Sequence, residues 1–268
     1  MHRERDKAVF AWCFALLALV AAPVCAQTVL KGSDVWHTPA DGSTSAVLNL
    51  PFGFFDPGCG FQGTVVLQGG HVATSPTTAF GNADTVIERL QDTVFDVNGV
   101  GSVPIAVRAL HLKATQNLST SCGQWAAEVS LNNPQAVTRM TIKRTGSSGG
   151  TFTAPISVAT TWTFTRTDGT VRTLDTNNTL DSSTPTEWRY SSCPGAVKTG
   201  GVVQVDTDND GVPDTAVNGV SNFFAGYTSS CALLKPCRNK NVDPATHCYQ
   251  GASAIIEVDP KPIEQVKR

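Results

Sequence analysis

Nine residues concentrate the most specific chemistry of this chain: Asp206-Thr207-Asp208-Asn209-Asp210-Gly211-Val212-Pro213-Asp214. Carboxylates at alternate positions of a tight loop converge on one side. Gly211 permits the sharp turn, and the carbonyl of Val212 can add a neutral ligand. Hard oxygens packed this way suit Ca²⁺. Without a cation, four carboxylates within nine residues repel one another. The expected ligands are Asp206, Asp208, Asp210 and Asp214 through their side chains and Val212 through its backbone. The expected role is structural, because a nearly saturated oxygen cage leaves little room for a substrate. The expected affinity is weak, about 10⁻⁴ to 10⁻³ M. A solvated acidic turn is the plainer alternative for the same residues.

The loop resembles the calcium loops of thrombospondin type 3 repeats and, more loosely, the first nine positions of an EF-hand loop. That resemblance implies Asp206, Asp208, Asp210 and Asp214 as ligands. The EF-hand's bidentate Glu at position twelve is Val217 here, and the loop is single where the thrombospondin repeats come in tandem. Pro51 to Gly63, Asp84 to Leu90 and Ser221-Asn222-Phe223 after the Asp-rich loop are similar to segments of exported bacterial β-rich proteins. This second resemblance implies no catalytic residues.

Other residues have chemistry to weigh. Gly146-Ser147-Ser148-Gly149-Gly150 has the G-x-S-G-G shape found around a protease serine, with His71 and Asp92 or Asp96 preceding it. Ser147 stands where that motif has Asp, and a hairpin tip explains the same letters. Glu128 and Glu187, beside Trp125 and Trp188, are the acids to consider for glycoside hydrolysis. Of the remaining histidines, His37, His111 and His247 form no metal-binding pair at short spacing, and His111 reads as a packed side chain. A zinc site of Cys237, His247 and Cys248 is a further alternative. Trp162 falls on a core face. Trp36, Trp125 and Trp188 lie nearer turns, where an exposed ring would stack on a sugar and a buried one would pack the core edge. Four phenylalanines in the Gly/Pro-rich stretch Pro51 to Phe61 are expected to cap one end of the core, or to line a hydrophobic mouth.

The cysteines and the leader set the compartment. Residues 1–26 combine a basic start (Arg3, Arg5, Lys7), an uncharged apolar run from Ala8 to Ala22, and Val24-Cys25-Ala26 before Gln27. This reads as a secretory signal, so the protein is expected to be secreted or periplasmic, without a membrane span after cleavage. Cys13 and Cys25 leave with it. Cys59, Cys122, Cys193, Cys231, Cys237 and Cys248 remain, enough for three disulfides. Sequence does not choose among their about 15 pairings, although one bridge within 231–248 is expected.

These residues need elements to hold them. The chain has 268 residues, 41% hydrophobic and 16% charged, with 20 basic against 22 acidic side chains. Near-neutral charge without a basic run argues against a nucleic-acid partner and a polybasic membrane patch. Thirty-two threonines against 2 methionines favour strands over helices. From Thr151 to Thr165, apolar even positions alternate with Thr and Ser, as in a half-buried strand with an edge or break at Pro155. Val103 to Leu112 changes phase once, which predicts a bulge near Arg108–Ala109. Val137 to Arg144 reads as a strand entering a hairpin loop. Shorter strands are expected at Val29–Trp36, Ala46–Leu50, Thr64–Leu67, Thr85–Leu90, Gln124–Leu131, Val171–Leu174, Val202–Val205 and Ala254–Val258. Turns are expected at Asp41-Gly42, Asp56-Pro57-Gly58, Gln68-Gly69-Gly70, Asn98-Gly99, Asp168-Gly169 and Asn177-Asn178. The expected fold is all-β, an antiparallel β-sandwich of jelly-roll or immunoglobulin-like type over 27–258. Its part from 192 is loop-rich and cysteine-containing, and 259–268 forms a tail. The expected function is that of an exported, calcium-binding, disulfide-stabilised binding or structural protein, with a glycan or another envelope component as partner. A secreted hydrolase acting on glycans is the alternative.

Overall fold

The computed structural model describes residues 28–132, 134–180, 185–193, 196–226 and 247–248. The signal, Cys231, Cys237, Ala254–Val258 and the tail lie outside them. Among the described residues there is no helix. In chain order the strands are β1 (Gly32–His37), β2 (Ser45–Leu50), β3 (Phe61–Gly69), β4 (Thr74–Ser75), β5 (Thr85–Arg89) and β6 (Val100–Ala114). Then come β7 (Leu118–Thr120), β8 (Gly123–Leu131), β9 (Thr138–Arg144), β10 (Gly149–Thr153), β11 (Ile156–Arg166) and β12 (Val171–Leu180). β13 (Thr186–Arg189), β14 (Val202–Val205), β15 (Thr215–Asn218), β16 (Phe224–Ala225) and β17 (His247–Cys248) follow. The strand pairs are antiparallel, except that β1 and β17 pair in parallel. The result is a sandwich-like all-β fold.

The long strand β6 is the hub. It pairs successively with β9 (from Val100 to Ile105), β5 (Ile105 to Leu110), β8 (His111 to Lys113) and β3 (Leu112 to Ala114). Val107 faces Ile87 and Ala109 faces Val86, so Arg108 is the extra residue of a bulge. This is the phase change read from the sequence. The bulge bends the strand and turns Arg108 toward Glu88, with Arg108 Nε donating to Glu88 Oε2 at 2.8 Å.

Pro155 acts as expected. The segment 151–165 is divided between β10 and β11, with Ala154–Pro155 outside both. β10 pairs with β9 and β13, whereas β11 pairs with β8 and β12. The even positions Phe152, Ala154, Ile156, Val158, Thr160, Trp162 and Phe164 are all buried, so one apolar stripe serves both sides of the break. Two turn expectations are overturned. Gln68 and Gly69 still belong to β3, opposite Lys113 and Leu112, so the chain leaves the strand only at Gly70. Asn177 and Asn178 sit inside β12, opposite Ala159 and Val158. Ten consecutive residues of β11 offer partners there, and that ladder outweighs the local turn preference of Asn-Asn.

Three core clusters result among the described residues. One gathers Met140, Ile142, Phe152, Trp188 and Phe223. Another joins Trp125, Trp162, Phe164, Leu48 and Phe55. The third packs Val72, Phe80 and Val86 under Val203, Val205 and Val217. The phenylalanine loop caps the second cluster: Phe54 and Phe55 are buried against Phe164, and Phe55 lies 4.6 Å from the Trp125 ring. Only Phe52 at its tip is widely exposed, at 84%. Arg172 ties the loop down, donating through Nε to Phe55 O at 2.9 Å and through Nη2 to Asp56 at 3.3 Å.

Candidate metal centre

The Asp-rich loop is the tip of a hairpin. Strands β14 and β15 pair from Val202↔Asn218 to Val205↔Thr215, and residues 206–214 connect them. The alternation of Val-Val-Gln-Val places Val203 and Val205 inward and fully buried, with Val217 beside them. Each such valine contributes roughly 1.5–3 kcal/mol by leaving water. β14 also pairs with β4. The far end of the hairpin is anchored by Glu88, whose Oε1 accepts Asn218 N at 2.9 Å and Asn218 Nδ2 at 2.7 Å. The hairpin is therefore rigid at its base, and the loop is carried at a fixed place.

Within the loop, Asp206 is buried while Asp208 and Asp210 are exposed. Asp206 Oδ1 accepts Asn209 N at 2.7 Å, and Oδ2 accepts Gly211 N at 2.8 Å. Asp208 Oδ1 accepts Asp210 N at 3.2 Å, and Asp210 Oδ1 accepts Val212 N at 2.7 Å. Each carboxylate thus fixes the backbone two to five residues on, a sequence-local device that curls the chain around its acids. Asn209 and Gly211 adopt φ of 64° and 92°, a region that Asn and Gly tolerate. Asn209 Nδ2 donates to Leu110 O at 3.0 Å, which docks the loop on β6.

Asp206, Asp208 and Asp210 each offer an oxygen, and these oxygens lie within 4.8 Å of one another. The three carboxylates can hold a metal ion. Their chemistry is that of hard oxygen donors, with no sulfur or imidazole among them. Asp214 plays another part in this geometry. Its oxygens lie 2.9 and 3.1 Å from Thr207 Oγ1, and its N–H donates to Val205 O at 3.0 Å, closing the hairpin. Val212 is 63% exposed, with its N–H committed to Asp210.

The other candidate residues are dispersed. Ser148 is exposed at the β9–β10 hairpin tip. His71 is exposed and lends its carbonyl to His111 Nδ1 at 3.0 Å. Asp92 accepts Lys31 N, and Asp96 closes its own turn by accepting Asn98 N and Val100 N. No protease triad forms from them. Glu128 on β8 pairs with Lys113 and His111, whereas Glu187 lies on β13 beside a cleft lined by Thr145, Ser148, Thr151 and Arg189. Trp36, Trp125, Trp162 and Trp188 are all buried, so none of them presents a stacking surface. Cys59 and Cys122 form a disulfide. Cys193 is disulfide-bonded too. The zinc alternative, which needs the side chains of Cys237, His247 and Cys248, lies outside them as well.

Three buried carboxylates escaped the sequence reading, those of Asp34, Asp84 and Glu88, the last bonded to Arg108 and Asn218. Asp34 on β1 and Arg89 on β5 form an ion pair with side chains 2% and 0% exposed. Burial pushes the Asp34 carboxyl above its ordinary value, and Arg89 offsets this only in part. A charge at the centre of an apolar strand was the available signal for such a pair. Asp84 is wholly buried and accepts hydrogen bonds from Thr38 N, Thr38 Oγ1 and Thr85 Oγ1. Comparison of the chain with protein-family models, curated proteins and solved structures finds no match.

Proposed function

We propose that this is an exported protein that binds or scaffolds an envelope component, stabilised by disulfides and by a structural calcium ion in the 206–214 loop. The observation that carries the reading is the cluster of three aspartate oxygens at the tip of a hairpin anchored at its base. Oxygens within 4.8 Å of one another can share one cation at metal–oxygen distances of about 2.3–2.6 Å. Val212 O and water would complete the shell, with Asp214 joining through a rotation away from Thr207. The Cys59–Cys122 disulfide fits an oxidising compartment, in keeping with the leader. A glycan remains a partner class, recognised through polar side chains and not through the four buried tryptophans. The hydrolase alternative draws no support from Glu128 and Glu187, which stand on strands that do not pair.

The test is thermal melting in calcium and in chelator. A Kd of about 10⁻⁴ to 10⁻³ M predicts about 1.4–2.7 kcal/mol of added stability at about 10 mM calcium. For a domain of this size that raises Tm by about 3–11 °C. Asp208→Ala is expected to abolish the increment. Superimposable wild-type curves in calcium and chelator would refute the reading.

A further inference from the structure

The peptide unit joining Leu110 to His111 is gripped from two directions. Its carbonyl accepts Asn209 Nδ2 from the metal loop at 3.0 Å. Its N–H donates to the backbone oxygen of Asp84 at 2.8 Å. A second bridge starts at Asp206, whose N–H donates to Ala73 O at 3.0 Å, while the neighbouring Val72 N–H donates to Ala83 O at 3.0 Å. Two residues of the metal loop therefore reach the backbone on both sides of Asp84, each through one intervening segment.

The Asp84 side chain is the plug of this corner of the fold, where β6 passes from β5 to β8 and β3. It is fully buried. A Cβ added at Gly69 would fall 2.1 Å from its Oδ2, so the end of β3 is packed flat against the carboxyl. Among the described residues, the groups that face it are few. His37, ending β1, places Nδ1 3.5 Å from Asp84 Oδ2. From β6, His111 lies against Gly70, with its Nε2 3.7 Å from Glu128, which also pairs with Lys113. After β3, His71 reaches His111 only through its carbonyl. No lysine or arginine among the described residues bonds Asp84.

We infer that Asp84 regulates the metal loop through its proton: the loop holds its cation more tightly when the Asp84 carboxyl is ionised, and cation binding expels that proton. The direction follows from charge, since a divalent cation held two hydrogen-bonded steps from Asp84 favours its anion over the neutral acid. Reciprocity follows from linkage, because each event must change the affinity of the other by the same factor. The contiguous hydrogen-bonded backbone is the route along which the two sites would bias each other. Burial pushes the Asp84 carboxyl up to about 7. The effect therefore falls near neutral pH, well above the ordinary carboxylate range of about 4. The inference rests on the calcium reading above.

The experiment is calcium titration calorimetry on the purified chain between about pH 6 and about pH 8.5, in buffers of different ionisation heat. The expected result is a Kd about fivefold lower at the alkaline end, with proton release on calcium binding at neutral pH. Asp84→Asn is expected to bind calcium with a flat profile and no proton release. A flat wild-type profile without proton release overturns the inference, whether or not the variant folds. An equal slope in Asp84→Asn overturns it too, because the proton then comes from another group. Absence of calcium binding at every pH removes the metal reading itself, and this one with it.

Discussion

Replacing Arg89 by Met tests how the segment around Leu30 and Asp34 is held to Ser221 and Phe223. Arg89 is fully enclosed. It bonds Asp34, donates Nη2 to Ser221 Oγ at 2.8 Å, approaches Leu30 O through Nε at 3.4 Å, and stands 4.5 Å over the Phe223 ring. Met fills similar space but leaves Asp34 charged and unpaired in the core. Breaking one side of a buried pair costs about 3–5 kcal/mol. The double variant Asp34→Leu/Arg89→Met removes both charges and should lie within about 1–2 kcal/mol of the wild type. The cost of Arg89→Met should also depend on pH. Burial already raises the Asp34 carboxyl with Arg89 present, and losing the cation raises it further. The penalty is relieved when Asp34 is protonated and grows as pH rises from about 4 toward neutrality. Urea unfolding of the two variants at pH 5 and 7.5, at fixed calcium, measures all of this. A loss under about 1 kcal/mol for Arg89→Met, or a double variant as unstable as the single, would refute the reasoning.

Three further outcomes are expected. Cys59→Ser/Cys122→Ser opens a bridge with a sequence separation of 63 and should cost about 4 kcal/mol by chain entropy, read from urea midpoints without reductant. In chelator, Asp206→Asn should cost about 1–3 kcal/mol, because its amide NH₂ must face Asn209 N or Gly211 N. Asp208→Asn keeps an acceptor for Asp210 N at the surface and should match the wild type there, with both variants losing the calcium increment. Also in chelator, Asp84 should make stability fall as pH rises. The folded chain holds its proton to about 7 and an unfolded carboxyl only to about 4. The folded state thus binds more protons between these values, and the decline levels off above them. Melting curves across pH 4.5–8.5 check this, with Asp84→Asn removing the slope.

What was legible follows period and local chemistry. The alternation in 152–164, the phase slip at Arg108 and the break at Pro155 are properties of a short window, and each appears in the fold. The Asp-rich loop was legible because its own side chains hydrogen-bond its own backbone. Asp214 was read with the other acids because spacing does not say that Thr207 faces it. Asp84-Thr85-Val86 and Asp92-Thr93-Val94 look alike as letters, yet Asp84 is entirely buried and Asp92 exposed. Nothing within three residues encodes that difference. It comes from Thr38 and Gly69, which arrive from distant segments. The Cys59–Cys122 pairing, the Asp34–Arg89 pair and the four partners of β6 are likewise long-range facts, set by packing and not by local pattern.

The clasp on the first strand has a consequence for the order in which the chain can fold. Leu30 N and Thr28 O are bonded by Asn222, and Leu30 O by Ser221, partners 191 to 194 residues later. At synthesis rates of about 5–20 residues per second, those partners trail the first strand by about 10–40 s. During that interval Asp34 and Arg89 have no Ser221 or Phe223 to close over them. One edge of β1 can pair early with β5, but the segment before it waits for Ser221 and Asn222 and its other edge waits for β17, so native closure of this corner requires the polypeptide as far as Cys248.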